Sequence, residues 1–140
     1  MRWFLFVAIQ IISLAANADW SKVYSDEVSA TYIDHTKTTR EGGYVTLMTL
    51  NNLSAKFISD SSKYGEPFNR SSIAYETYDC GNNLTRQGRY AQYSDFNGKG
   101  KIVFSGTMQW GWLQAGSFGV SRQLFKIACG KEPPYAEFQQ

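Results

Sequence analysis

Two cysteines, Cys80 and Cys129, are the feature that most restricts this fold, and the start of the chain decides how they are read. Arg2 supplies a positive end, and Trp3 to Leu14 is apolar except for Gln10 and Ser13. Ala16-Asn17-Ala18 then places small residues where a signal peptidase needs them, so 1–18 is expected to be a signal peptide cleaved between Ala18 and Asp19. The apolar run is shorter than the roughly 20 residues that span a bilayer. A buried N-terminal helix is the competing reading. No Cys follows the expected cleavage point, which argues against a lipid-anchored form. Export to an oxidising compartment favours joining Cys80 to Cys129. That bridge closes a loop of about 50 residues, worth roughly 4 kcal/mol in the chain-entropy account. Two buried thiols, or half of a metal site, remain the alternatives. Zinc normally wants four ligands, and a single His35 does not complete the set.

Composition narrows the rest. With 43% hydrophobic and 19% charged residues the chain is globular rather than disordered. Lys and Arg number 14 against 12 Asp and Glu, with no basic run, which excludes the usual nucleic-acid binder. One domain over 19–130 is expected, followed by a flexible tail, 131–140, opened by Pro133-Pro134.

The pattern from Asp19 to Gly106 is one of short strands between Gly, Asn, Asp and Ser clusters. Val28, Ala30 and Tyr32 alternate with polar residues in a strand ending near Asp34. Tyr44 to Leu50 is apolar on both faces and reads as a central strand. Asn51 to Asn69 is irregular, with Phe57-Ile58 its only apolar pair, and reads as a long loop or a short edge strand. Ser72 to Cys80 and Leu84 to Tyr93 form a hairpin around Asn82-Asn83. Lys101 to Thr107 is the next strand, with Ile102, Phe104, Met108 and Trp110 sharing the parity that points to the core. After Gly116 the period becomes helical: Ser117 caps, Val120, Leu124, Ile127 and Ala128 form a stripe widened by Phe118 and Phe125, and Gly130 stops it. The expected fold is α+β: an antiparallel sheet of four to six strands, one C-terminal helix packed on it, one disulfide. Glu76 sits awkwardly, because period-2 counting puts it on the face of Cys80, Tyr78 and Ala74, under the helix. A bulge near Thr77, or a rim position, would relieve a carboxylate there, and a functional buried acid is the third reading.

Catalytic signals are absent. No HExxH, GxSxG, Walker loop or dinucleotide fingerprint occurs. Asp34 and His35 adjoin in sequence, yet strand neighbours face opposite sides, so His35 reads as a solvated turn residue. Gly98-Lys99-Gly100 lacks the following helix that a phosphate cradle needs. No catalytic residue, cofactor or metal is expected. In Trp110-Gly111-Trp112, Trp110 reads as core filling, whereas an exposed Trp112 is a candidate contact residue, since interface hot spots favour Trp and Tyr.

The order of these features resembles the bacterial surface-adhesin protein E family over roughly residues 20–130. The stations are Trp20, Tyr32-Ile33-Asp34, Gly43-Tyr44-Val45, Ser71-Ser72, Tyr78-Asp79-Cys80, Tyr93-Ser94, Gly98-Lys99-Gly100, and Trp110 through Gly116-Ser117 to Cys129. Ala115 stands where the family's turn has Pro. The resemblance implies an antiparallel sheet with a C-terminal helix and one disulfide, in a secreted or envelope protein that binds a protein partner, in one member host matrix proteins. An exported, non-enzymatic binding domain is therefore expected, periplasmic or at the cell surface, with no nucleic-acid partner and no transmembrane segment once the signal is removed. Homodimerisation through an open sheet edge is a further expectation. The alternative is a periplasmic inhibitor of a hydrolase such as lysozyme, presenting the loop Ser61-Ser62-Lys63-Tyr64-Gly65. A small hydrolase built on His35 or Glu76 is a third.

Overall fold

A computed structural model of the chain describes residues 18–61, 63, 65 and 69–134. The expected signal peptide lies outside them apart from Ala18. In chain order the elements are β1 (Trp20–Ser25), β2 (Ser29–Asp34), β3 (Thr39–Glu41), β4 (Tyr44–Leu53), α1 (Ala55–Ser61), β5 (Ser71–Asp79), β6 (Leu84–Tyr93), β7 (Ile102–Thr107), β8 (Leu113–Gln114) and α2 (Gly119–Cys129). All strands join one antiparallel sheet in the order β1-β2-β4-β5-β6-β7.

The sheet has eight strands where four to six were expected. The two extra ones are short. β3 pairs with Tyr44–Thr46 of β4 and β2 with Thr49–Leu53, so β2 and β3 share one side of β4. β8 and β7 flank successive parts of β6 in the same manner. Segments of two or three residues carry too little alternation to be read from a sequence. α1 is a second correction, lying where a loop or edge strand was expected. Ser54 caps it, its Oγ accepting from Phe57 N at 3.0 Å while donating to the Glu27 carbonyl at 2.6 Å. With no buried residue, α1 shows no apolar stripe to betray it.

α2 lies across β1, β4 and β5 and closes the core. Its Leu124, Phe125 and Ala128 pack on Ile33, Val45, Leu47 and Tyr78. Phe125 is fully buried, edge-on to the Tyr78 ring at 6.2 Å. Gly130 ends the helix with φ of 67°, its N–H donating to the Lys126 carbonyl at 2.8 Å. The start differs from expectation: Phe118, not Ser117, is the N-cap residue and no side chain caps there. Phe118 is exposed rather than part of the buried stripe. Cys80, one residue past β5, is joined to Cys129 in the last turn, with Cα atoms 5.4 Å apart. Arg40 adds a second tie to that helix end, donating to the Ala128 carbonyl at 2.8 Å. Beyond the helix, Glu132 pairs with Arg122 at 2.8 Å and Lys126 at 2.9 Å, and Pro133 is buried. The first residues of the expected tail therefore return onto α2, and 135–140 lie outside the described residues.

Parity fails twice for one reason, the reach of the helix. In β2 the buried set is Thr31, Ile33 and the terminal Asp34, not Val28, Ala30 and Tyr32. In β7 every residue is exposed, Ile102 and Phe104 at more than half, and Trp110 at 66%. β7 is an edge strand beyond the helix, so the face expected to meet the core meets solvent. Among the described residues, no helix is long and apolar enough to cross a membrane.

Candidate functional site

Period-2 alternation gives the sheet two unlike faces. On the face away from α2, Tyr44 of β4 stacks on Trp112 with ring centroids 5.7 Å apart. The Arg86 guanidinium of β6 lies 4.7 Å from the Trp112 centroid. Thr46 and Thr77 form the floor between them, their hydroxyls 2.9 Å apart. Trp112 reaches this face because Met108–Trp112 crosses from β7 to β8 with no strand pairing. It is half-buried there rather than freely exposed.

A β-bulge extends the cluster. Between Gln87 and Tyr90, Gly88 and Arg89 together oppose the single residue Tyr75. Simple alternation would put Arg86 and Arg89 on opposite faces. The bulge turns Arg89 to the outer one, where its guanidinium lies 5.1 Å from the Tyr75 ring centroid. The outer face therefore carries two arginines, each on an aromatic ring and each exposed. A shallow depression beside the second pair is lined by Met48, Ile73, Ala91 and Tyr93. Trp, Tyr and Arg on a solvent-facing sheet is the composition of protein-binding hot spots. Arg stacked on an aromatic ring is pre-ordered, which lowers the entropy lost on docking.

The inner face changes character along its length. Near Cys80 it is the apolar core. Past Leu124 it becomes a polar trough of about 260 Å³ between α2 and the sheet, with Glu76 at the boundary. The register through Leu47↔Glu76 is regular, so no bulge near Thr77 moves Glu76 aside. It is half-buried at the edge of the trough, and desolvation there pushes its carboxyl pKa up against the lowering effect of a 2.8 Å bond from the Tyr78 hydroxyl. Tyr78 is pushed up in turn by burial and by the Glu76 charge.

His35 is exposed in a 3-10 turn and borders a different depression, with Thr38, Arg40 and Ile127, so it does not join Glu76. Among the described residues no three His, Cys, Asp or Glu side chains converge as metal ligands. Of this cluster, the sequence singled out Trp112 as a candidate contact residue. It passed over Tyr44, Tyr75, Arg86 and Arg89, and only the Gly88 next to Arg89 hinted at a bulge.

A single antiparallel sheet, stapled by one disulfide to a helix on one face and carrying aromatics and arginines on the other, defines a disulfide-bonded α+β domain. The chain belongs to the Surface-adhesin protein E family, which matches residues 20–130. Among solved structures it is similar to crystal form II of Haemophilus influenzae protein E, at 20% identity and a TM-score of 0.48, over 71% of this chain and 80% of that one. No curated protein matches it.

Proposed function

We propose that the mature chain is an exported, non-enzymatic adhesin-like domain that holds a protein partner on its outer sheet face, through Trp112, Tyr44 and Arg86 and then Tyr75 and Arg89. The observation that carries this is the Tyr44–Trp112–Arg86 stack, on the face opposite the one that α2 covers. Host matrix proteins and envelope components are the partner classes to test. Family membership supports a surface or exported setting and favours adhesion over hydrolase inhibition. Of the loop proposed for inhibition, Ser61 closes α1, and 62 and 64 lie outside the described residues.

Surface plasmon resonance of the purified mature chain against a panel of these proteins is the test. Trp112→Ala and Arg86→Ala are each expected to weaken binding by about 2 kcal/mol or more while leaving the far-UV spectrum unchanged. Absence of saturable binding by the unsubstituted chain to every member would end the adhesive reading. Mass spectrometry of the exported protein is expected to find Asp19 as its first residue. Self-association is proposed at β7, where Ile102, Val103 and Phe104 are exposed on an edge strand. A monomer at all concentrations in sedimentation would remove that part.

A further inference from the structure

The trough under α2 has more polar chemistry than packing requires. Its walls present Thr31, Thr49, Asn51, Ser72, Gln87 and Ser121 from four strands and the helix, with Val120, Leu124 and Ala74 as an apolar side. Some of these groups already satisfy one another, Thr31 Oγ1 donating to Asn51 Oδ1 at 3.3 Å and Thr49 Oγ1 to the Ala74 carbonyl at 3.3 Å. Glu76 does not fit that pattern. One carboxylate oxygen accepts from Tyr78, and the other has no hydrogen bond among the described residues. Among the described residues, no Lys, Arg or His lines the trough. The two cations of the helix, Arg122 and Lys126, both pair with Glu132. A carboxylate in a half-enclosed cavity with hydroxyl and amide acceptors, and no cation of its own, is complementary to a cation brought from outside.

We propose that this trough binds a primary alkylammonium group, its charge seated on Glu76 and its N–H donors shared among the surrounding hydroxyls. Three N–H donors suit a ring of oxygen acceptors, and the Val120, Leu124 and Ala74 side suits a short alkyl stem. A neutral polyol would leave the carboxylate without charge compensation. The site lies on the opposite face from Trp112 and stands or falls separately from the reading above.

The ammonium could belong to a free amine or to a lysine of another protein. Amide-resolved NMR titration of the mature chain with propylammonium, 1-propanol and an end-blocked Gly-Lys-Gly peptide separates them. The proposal expects saturating shifts at Thr31, Thr49, Gln87 and Ser121 with propylammonium, half-complete near about 1 mM. Glu76→Gln, close in shape and still able to accept from Tyr78, is expected to weaken this about tenfold or more. Glu41→Gln, which removes an exposed carboxylate elsewhere, is expected to leave it unchanged. Shifts with the peptide as well assign the source to a lysine side chain, and shifts with propylammonium alone to a free amine. Propanol matching the amine, no saturating shift in the trough, or Glu76→Gln binding like the parent would each overturn the proposal. A second measurement needs no variant: the carbon-13 carboxyl signal of Glu76 must titrate at lower pH with propylammonium present and not with propanol, and an unmoved midpoint refutes the site.

Discussion

Replacing both cysteines, Cys80→Ser with Cys129→Ser, tests the architecture most directly. The bridge joins residues 49 apart in sequence, and a loop of that length removes about 4 kcal/mol of chain entropy from the unfolded state at 25 °C. At about 4 °C per kcal/mol for a domain of this size, the melting temperature should fall by roughly 15 °C. The native state should change little. Phe125 and Leu124 stay buried on Val45, Leu47 and Tyr78 without help from the sulfurs, and Arg40 still holds the Ala128 carbonyl. Urea unfolding followed by tryptophan fluorescence, with far-UV circular dichroism of the folded state, measures both halves. The expected result is a large drop in stability, an undiminished helical signal and a steeper urea dependence, because the uncrosslinked chain exposes more surface on unfolding. A loss under about 1 kcal/mol would refute the entropic account. Loss of helical signal in buffer would refute the claim that packing alone keeps α2 in place.

Phe125→Ala, at a fully buried position, is expected to cost about 3–5 kcal/mol in the same urea assay, more than any other single truncation in α2. Gly98→Ala should cost about 1–3 kcal/mol, because Gly98 has φ of 68° and an added Cβ would meet Ile73 Cδ1 at 2.6 Å. Glu76→Gln should stabilise the domain at neutral pH. The folded pKa of Glu76 is raised, so the favourable protonated form is fully present below the unfolded value of 4.5 and is lost as pH rises through the folded value. The advantage of the Gln variant should therefore appear only above pH 4.5 and grow with pH; equal unfolding free energies at pH 7 would contradict it. Glu132 titrates in the opposite sense: its carboxyl, held down to about 2 by Arg122 and then Lys126, gives up its small surface contribution only as pH falls through that value.

The long strands and the helix were legible because each satisfies a period over enough residues. Tyr44 to Leu50, apolar on both sides, is the strand with partners on both sides, and Gly130 ends the helix that Leu124 and Ala128 began. What escaped was set by neighbours rather than by local sequence. β3 and β8 exist only because β4 and β6 offer unpaired backbone beside them. Ile102 and Phe104 have the alternation of a core strand, but nothing covers β7. Arg86 and Arg89 share a face only through a bulge whose position depends on the partner strand. Trp110 is exposed where core filling was expected, because the strand ends at Thr107 and parity ceases to apply beyond it.

Length explains why the inner face turns polar. α2 has 11 residues and so is about 16 Å long. β4 has 10 and runs about 34 Å. Roughly half of the face beneath the helix must therefore lie beyond it, and an apolar strand there would be an exposed patch. The change from Val45 and Leu47 to Thr49 and Asn51 along β4, and from Tyr78 to Ser72 along β5, follows the point at which close packing on α2 gives way to the trough that Val120, Ser121 and Leu124 overhang. Thr suits such a position, since it keeps the β-branched shape a strand prefers while its hydroxyl finds an internal partner, as Thr49 Oγ1 does on the Ala74 carbonyl. Glu76 is the exception to this logic. It sits where cover begins rather than where it has ended, so wetting does not account for a charge at that position. Its desolvation is offset in part by the Tyr78 hydroxyl, which donates to one carboxylate oxygen at 2.8 Å.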